Sequence, residues 1–143
     1  MKGFETARRV RFADCDPAGI IFFPQYLVMM TTLVEQWFDE GLRIPYAELL
    51  GPRRIGLPTV RLEVDFTAVS RFGDDLALRL EVERVGRSSL ALRHEYRGGG
   101  TTRLRARQVI VATSLADHRP VELAPDIRAA IGRMQDQEPQ GSP

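Results

Sequence analysis

Four consecutive runs of alternating apolar and polar residues, all downstream of one helical stripe, constrain this chain more than any other feature. Val60, Leu62, Val64 and Phe66 alternate with Arg61, Glu63, Asp65 and Thr67, the period of a strand with one buried face. After the turn-forming Arg71-Phe72-Gly73-Asp74-Asp75, the residues Leu76, Leu78, Leu80 and Val82 repeat the pattern. Gly86-Arg87-Ser88-Ser89 leads into a third run, Leu90 to Tyr96. Gly98-Gly99-Gly100 then precedes a fourth, from Arg103 to Leu115. Connections this short imply antiparallel neighbours, because parallel strands need long crossovers. Val109-Ile110-Val111-Ala112 is apolar on both faces, which predicts a central strand covered on both sides.

Upstream, Tyr26, Met30, Leu33, Val34, Trp37 and Phe38 recur at spacings of three, four and seven, the apolar stripe of an amphipathic helix. Pro24 suits its first turn, where a missing N–H breaks no bond. Gly41 is placed to end it in a left-handed conformation. Residues 5–13 read as a first strand, residues 42–57 as a connection with one helical turn, and Pro125 to Met134 as a short final helix. One striped helix and one antiparallel sheet bury each other, an α+β domain with about five strands wrapped around the helix, the hotdog arrangement. The domain spans residues 1–135, and the polar, proline-containing residues 136–143 read as a flexible tail.

Composition narrows function by exclusion. Twenty basic against nineteen acidic residues lack the basic excess of a nucleic-acid binder. No apolar run reaches the roughly 20 residues of a membrane span, and no signal-peptide core is visible, so a cytoplasmic location is expected. A single cysteine, Cys15, excludes an intrachain disulfide and a cysteine-rich metal site. The two histidines, His94 and His118, are isolated, so no metal site is expected.

The chemistry concentrates in Asp14-Cys15-Asp16-Pro17-Ala18-Gly19-Ile20-Ile21-Phe22-Phe23-Pro24-Gln25-Tyr26. Two carboxylates sit in a turn just before a helix start, where unpaired N–H groups and the helix dipole can hold a developing oxyanion. A carboxylate facing the same carbonyl can attack it or activate water. Thioesters suit such a site, since their thiolate leaves readily. The ordinary alternative is that an Asp here only caps or turns the backbone.

This segment resembles the signature of the 4-hydroxybenzoyl-CoA thioesterase family, and the order of elements follows the family as far as Leu115. The resemblance implies a hotdog fold, tetramers built from dimers, and hydrolysis of acyl-CoA thioesters without metal or cofactor. It places the catalytic carboxylate on Asp16 and the oxyanion-donating backbone N–H on Phe23. Asp14 is then structural. Cys15, with no His near it in sequence, reads as a small buried side chain, and Glu35, opposite the apolar stripe, as a solvated or interface residue. Short-chain relatives carry a His after the motif glycine; Ile20-Ile21-Phe22-Phe23 has none, which points to an aromatic acyl group. The carboxylate that marks 4-hydroxybenzoyl specificity would fall near Thr31, so that substrate is not assumed. Gly19, Phe22 and Tyr26 are candidate acyl-binding residues.

For CoA itself, Arg87 and Ser88 match the family's basic, serine-bearing turn, although the run of cations is thinner here. Arg103, Arg105 and Arg107 share one strand face and could meet solvent, a subunit interface or phosphate. The expected partners are an acyl-CoA substrate and further copies of the chain, with residues from two chains at each site; nucleic acid and membrane are not expected. The rival readings are an acyl carrier protein thioesterase and a non-catalytic acyl-CoA binding protein. A hotdog dehydratase is disfavoured because the turn lacks a His to act as base. The hydrolase reading requires an Asp16 side chain that faces a cavity and is not locked into binding the backbone.

Overall fold

The computed structural model describes residues 3–136. β1 (Gly3–Arg9) is followed by a 3-10 turn, Phe12–Asp14, and by α1 (Phe23–Gln36), which runs on through a wide π-helical segment, Trp37–Leu42. Then come α2 (Tyr46–Leu50), β2 (Ile55–Gly56), β3 (Thr59–Phe66), β4 (Asp75–Val85), β5 (Ser89–Gly98), β6 (Thr101–Val111), β7 (Thr113–Ser114) and α3 (Pro125–Asp136). The five longer strands form one sheet in the order β1-β4-β5-β6-β3, every pair antiparallel. β2 and β7 make a separate two-stranded ladder.

The expected single helix against an antiparallel sheet is what forms. Tyr26, Met29, Leu33 and Val34 of α1, with Trp37 and Phe38 beyond it, are buried in one cluster with Leu78, Leu80, Leu90, Leu92, Tyr96, Leu104 and Ile110 of the sheet. Each such side chain contributes roughly 1.5–3 kcal/mol by leaving water. From the other end of the chain, α3 adds Ile127, Ala130 and Ile131, and Trp37 Nε1–H points at the Met134 sulfur, 3.1 Å away.

Three local expectations are corrected. The first strand stops at Arg9 rather than continuing to residue 13, because the Asp14 carboxylate takes the Arg11 N–H and winds residues 12–14 into a tight turn. The helix does not end at Gly41. It continues to Leu42, and Arg43 adopts the left-handed conformation (φ 61°). Gly41 is small for another reason: a Cβ there would lie 2.9 Å from the Trp37 ring and 3.1 Å from Phe4. β6 is interior to the sheet as expected, with Ile110 and Ala112 buried, but Val109 and Val111 on its outer face are only half-buried. Of the expected tail, Asp136 closes α3, and residues 137–143 lie outside the described residues.

Candidate active site

The motif folds into a short hairpin that delivers the chain to α1. Cys15 bridges Ile21, the Asp16 N–H donates to the Ile20 carbonyl (3.0 Å), and the Gly19 N–H donates to the Asp16 carbonyl (2.9 Å). Pro17 occupies the turn position that favours its fixed φ, and Gly19 takes φ +77°, which a residue with a Cβ adopts only under strain. Gly19 thus shapes the turn, and neither Gly19 nor Asp16 is among the residues that line the cavity at the start of α1. A second bridge, Ile20 to Arg71, pins the hairpin to the segment ahead of β4.

The two carboxylates part company. Asp14 is buried, accepts two bonds from the Arg8 guanidinium (2.9 and 3.0 Å) and one from the Arg11 N–H (2.8 Å). Its backbone carbonyl accepts the Phe22 N–H at 2.9 Å, so Asp14 holds strand, turn and helix start together. Asp16 is half-exposed, and its Oδ1 accepts the Ala18 N–H at 2.9 Å. That bond belongs to the turn and occupies one oxygen; Oδ2 has no partner among the described residues.

The helix start offers one donor. Pro24 has no N–H, and the Gln25 N–H is taken by the Phe22 carbonyl at 2.8 Å. The Phe23 N–H, first in the helix, has no carbonyl one turn earlier and none from the preceding loop among the described residues. Beside it lies a cavity of about 240 Å³ lined by Ile21, Phe23, Tyr26, Phe66, Val69 and Ser70 among others. Sequence reasoning missed Phe66, Val69 and Ser70. The Tyr26 hydroxyl donates to Ser70 Oγ at 2.9 Å, a buried pair 44 residues apart in sequence. Phe22 is outside this lining, half-exposed, with its ring 5.8 Å from that of Phe23.

Residues 10–131 match the thioesterase-like superfamily. The chain belongs to that superfamily. It is 30% identical over 88 residues to the 4-hydroxybenzoyl-CoA thioesterase of Pseudomonas sp. strain CBS-3, covering 61% of this chain and 62% of that relative. With the 1,4-dihydroxy-2-naphthoyl-CoA hydrolase of Synechocystis it is 27% identical over 107 residues, covering 75% and 77% of the two chains. A solved gentisyl-coenzyme A thioesterase superposes with a TM-score of 0.81 at 26% identity, covering 90% of this chain and 99% of that one. The hotdog fold is therefore common to this chain and its superfamily.

Arg87 and Ser88 are not brought to the motif within one chain. They follow the end of β4, whereas the motif hairpin is bridged just ahead of its start, and an 11-residue strand spans roughly 30 Å. The Arg87 side chain is exposed and 4.0 Å from Glu122, while Arg128 of α3 holds the Gly86 and Arg87 carbonyls. The three arginines of β6 are paired: Arg103 with Asp74, Arg105 with Glu95, Arg107 with Glu83. Glu35 is exposed. Cys15 is half-buried, and desolvation with Asp14 and Asp16 nearby pushes its thiol pKa up, away from a nucleophilic thiolate. His94 is buried against Gln108, and among the described residues no His, Cys, Asp and Glu cluster could hold a metal ion.

Proposed function

We propose that this chain is an acyl-CoA thioesterase that hydrolyses an aromatic acyl-CoA, of benzoyl or hydroxybenzoyl type, to the free acid and CoA. The observation that carries this reading is the apolar cavity at the start of α1, lined in part by Phe23, whose N–H has no partner among the described residues. Its size, about 240 Å³ and a little below the roughly 300–1,000 Å³ of drug-sized pockets, has room for one ring. Membership of the superfamily supports the reaction, and relatives named for 4-hydroxybenzoyl-, dihydroxynaphthoyl- and gentisyl-CoA support an aromatic acyl group.

In this mechanism the Phe23 N–H and the helix dipole polarise the thioester carbonyl. The Asp16 carboxylate acts as nucleophile or general base, and CoA leaves as the thiolate. Phe23, Tyr26 and Phe66 pack the ring, with Gly19 shaping the turn and Phe22 at its margin. Arg87 and Ser88 of a second copy hold the nucleotide end, since one chain places them too far away. A dimer pairing, and a tetramer built from it, is therefore part of the reading, as are a cytosolic location and the lack of any cofactor.

Asp16→Asn removes the attacking charge while keeping the turn bond to Ala18. Thiol release from benzoyl-CoA should fall by about 100-fold or more with unchanged thermal unfolding. Hydrolysis near the wild-type rate would remove Asp16 from the chemistry. The Asp16–Ala18 bond favours a second reading, a non-catalytic acyl-CoA binding protein. That protein would bind benzoyl-CoA saturably and release no thiol. Presenting the same acyl group on acyl carrier protein separates the two carriers.

A further inference from the structure

Arg8 was absent from every candidate set, yet it touches the group that holds the motif in place. It lies on the inward register of β1 with Phe4, Thr6 and Val10, an unusual place for a guanidinium. Its partner Asp14 is buried, and both carboxylate oxygens take Arg8 Nη2 at 2.9 and 3.0 Å. Without Arg8 that carboxylate, itself buried, would keep a single donor among the described residues, the Arg11 N–H. Tyr96 lies close enough to feel the same charge: burial pushes its phenol pKa up, and Arg8 opposes that rise. The Tyr96 hydroxyl has no hydrogen-bond partner among the described residues, and besides a long bond from Arg8 Nε to the Arg9 carbonyl (3.4 Å), Asp14 is the group that takes the Arg8 guanidinium.

Asp14 reaches the reacting positions by two routes. Its carbonyl accepts the Phe22 N–H, fixing the peptide that precedes the Phe23 donor. Directly after Asp14 the hairpin begins at Cys15, paired with Ile21, and carries Asp16 into its turn. We propose that Arg8 is a positioning residue: its ion pair with Asp14 sets the helix-start donor and the Asp16 turn in register with each other. This deepens the thioesterase reading and rests on it. A misplacement of about 1 Å at such a site lowers turnover far more than it lowers binding.

The test compares Arg8→Met, Arg8→Lys and, as a control, Arg9→Met, which breaks the exposed Arg9–Asp75 pair on the opposite face of the same strand. Turnover of benzoyl-CoA is measured well below each variant's unfolding temperature. Arg8→Met should lower kcat by about tenfold or more with KM changed by less than about threefold, and Arg8→Lys should recover part of kcat. Arg9→Met should match the wild type. Hydrogen exchange at the Phe22 amide supplies a readout that needs no activity: Arg8→Met should lose its protection while α1 beyond the first turn keeps its own. Wild-type kcat together with a protected Phe22 amide in Arg8→Met would overturn the role. If the wild type releases no thiol, the thioesterase reading falls, and the Phe22 amide alone decides whether Arg8 sets the register.

Discussion

At the residue scale, charge and burial sort the ionisable groups into distinct roles. His94 is buried, its Nε2 bonded to Gln108 Oε1 at 2.8 Å, while Gln108 Nε2 donates to Thr59 at 2.9 Å. Burial lowers its pKa to about 4, the Gln108 bond opposing the shift. Between pH 4 and 6.5 the unfolded chain therefore binds a proton that the folded chain refuses, so stability rises with pH through that window. The contribution is on the order of 3 kcal/mol above pH 6.5 and is lost as pH falls toward 4. Urea midpoints measured across this range should fall with acidification, and a His94→Gln variant should flatten that slope. An equal slope in the variant would assign the acid sensitivity to other groups. The Nδ1 atom of the ring has no partner among the described residues, so the protonated form would also bury an unpaired donor.

At the scale of elements, the join between α1 and its wide terminal turn is where packing overrides local preference. Gly41 follows the stripe where a left-handed glycine would end a helix, and position alone cannot distinguish that role from close approach. The structure shows close approach, to Trp37 and Phe4, and Trp37 is fully buried and has no room to yield. Gly41→Ala should therefore destabilise by roughly 1–3 kcal/mol through overpacking, although alanine favours helix. A chemical-denaturation midpoint checks the sign, because a glycine needed only for helix termination would respond differently. The hairpin at Gly99 and Gly100 is a contrasting case. Both take positive φ (56° and 78°), so their turn chemistry was readable from the triplet that contains them.

At the scale of the molecule, the sheet has two unlike edges and two unlike faces. Its outer face carries Glu63, Arg79, Glu83, Glu95, Arg105 and Arg107 as a lattice of ion pairs, a surface made for water. The β3 edge instead exposes Val60 and Phe66 beside open backbone, a combination that ordinarily finds a partner strand. Sedimentation of the wild type should give a dimer or tetramer, and Val60→Lys should raise the monomer fraction and lower turnover with it. A wild-type monomer that hydrolyses benzoyl-CoA would leave Arg87 and Ser88 without a route to the motif.

Period-two and helical stripes sufficed to predict the antiparallel sheet, the single long helix and their mutual burial, because which face is apolar is a local property of each segment. The motif before α1 likewise showed two carboxylates in a turn ahead of a helix start, since a turn and a helix start are made by neighbours in the chain, whereas the roles of Asp16 and Phe23 came from the family resemblance. The pairing of Arg8 with Asp14, the Tyr26–Ser70 bond and the distance of Arg87 from the hairpin were not legible. Each depends on how far-apart segments lie against one another, and alternation reports only that a side chain points inward, not what it meets there. Gly41 failed for the same reason, its neighbour Phe4 being supplied by a strand from the other end of the motif.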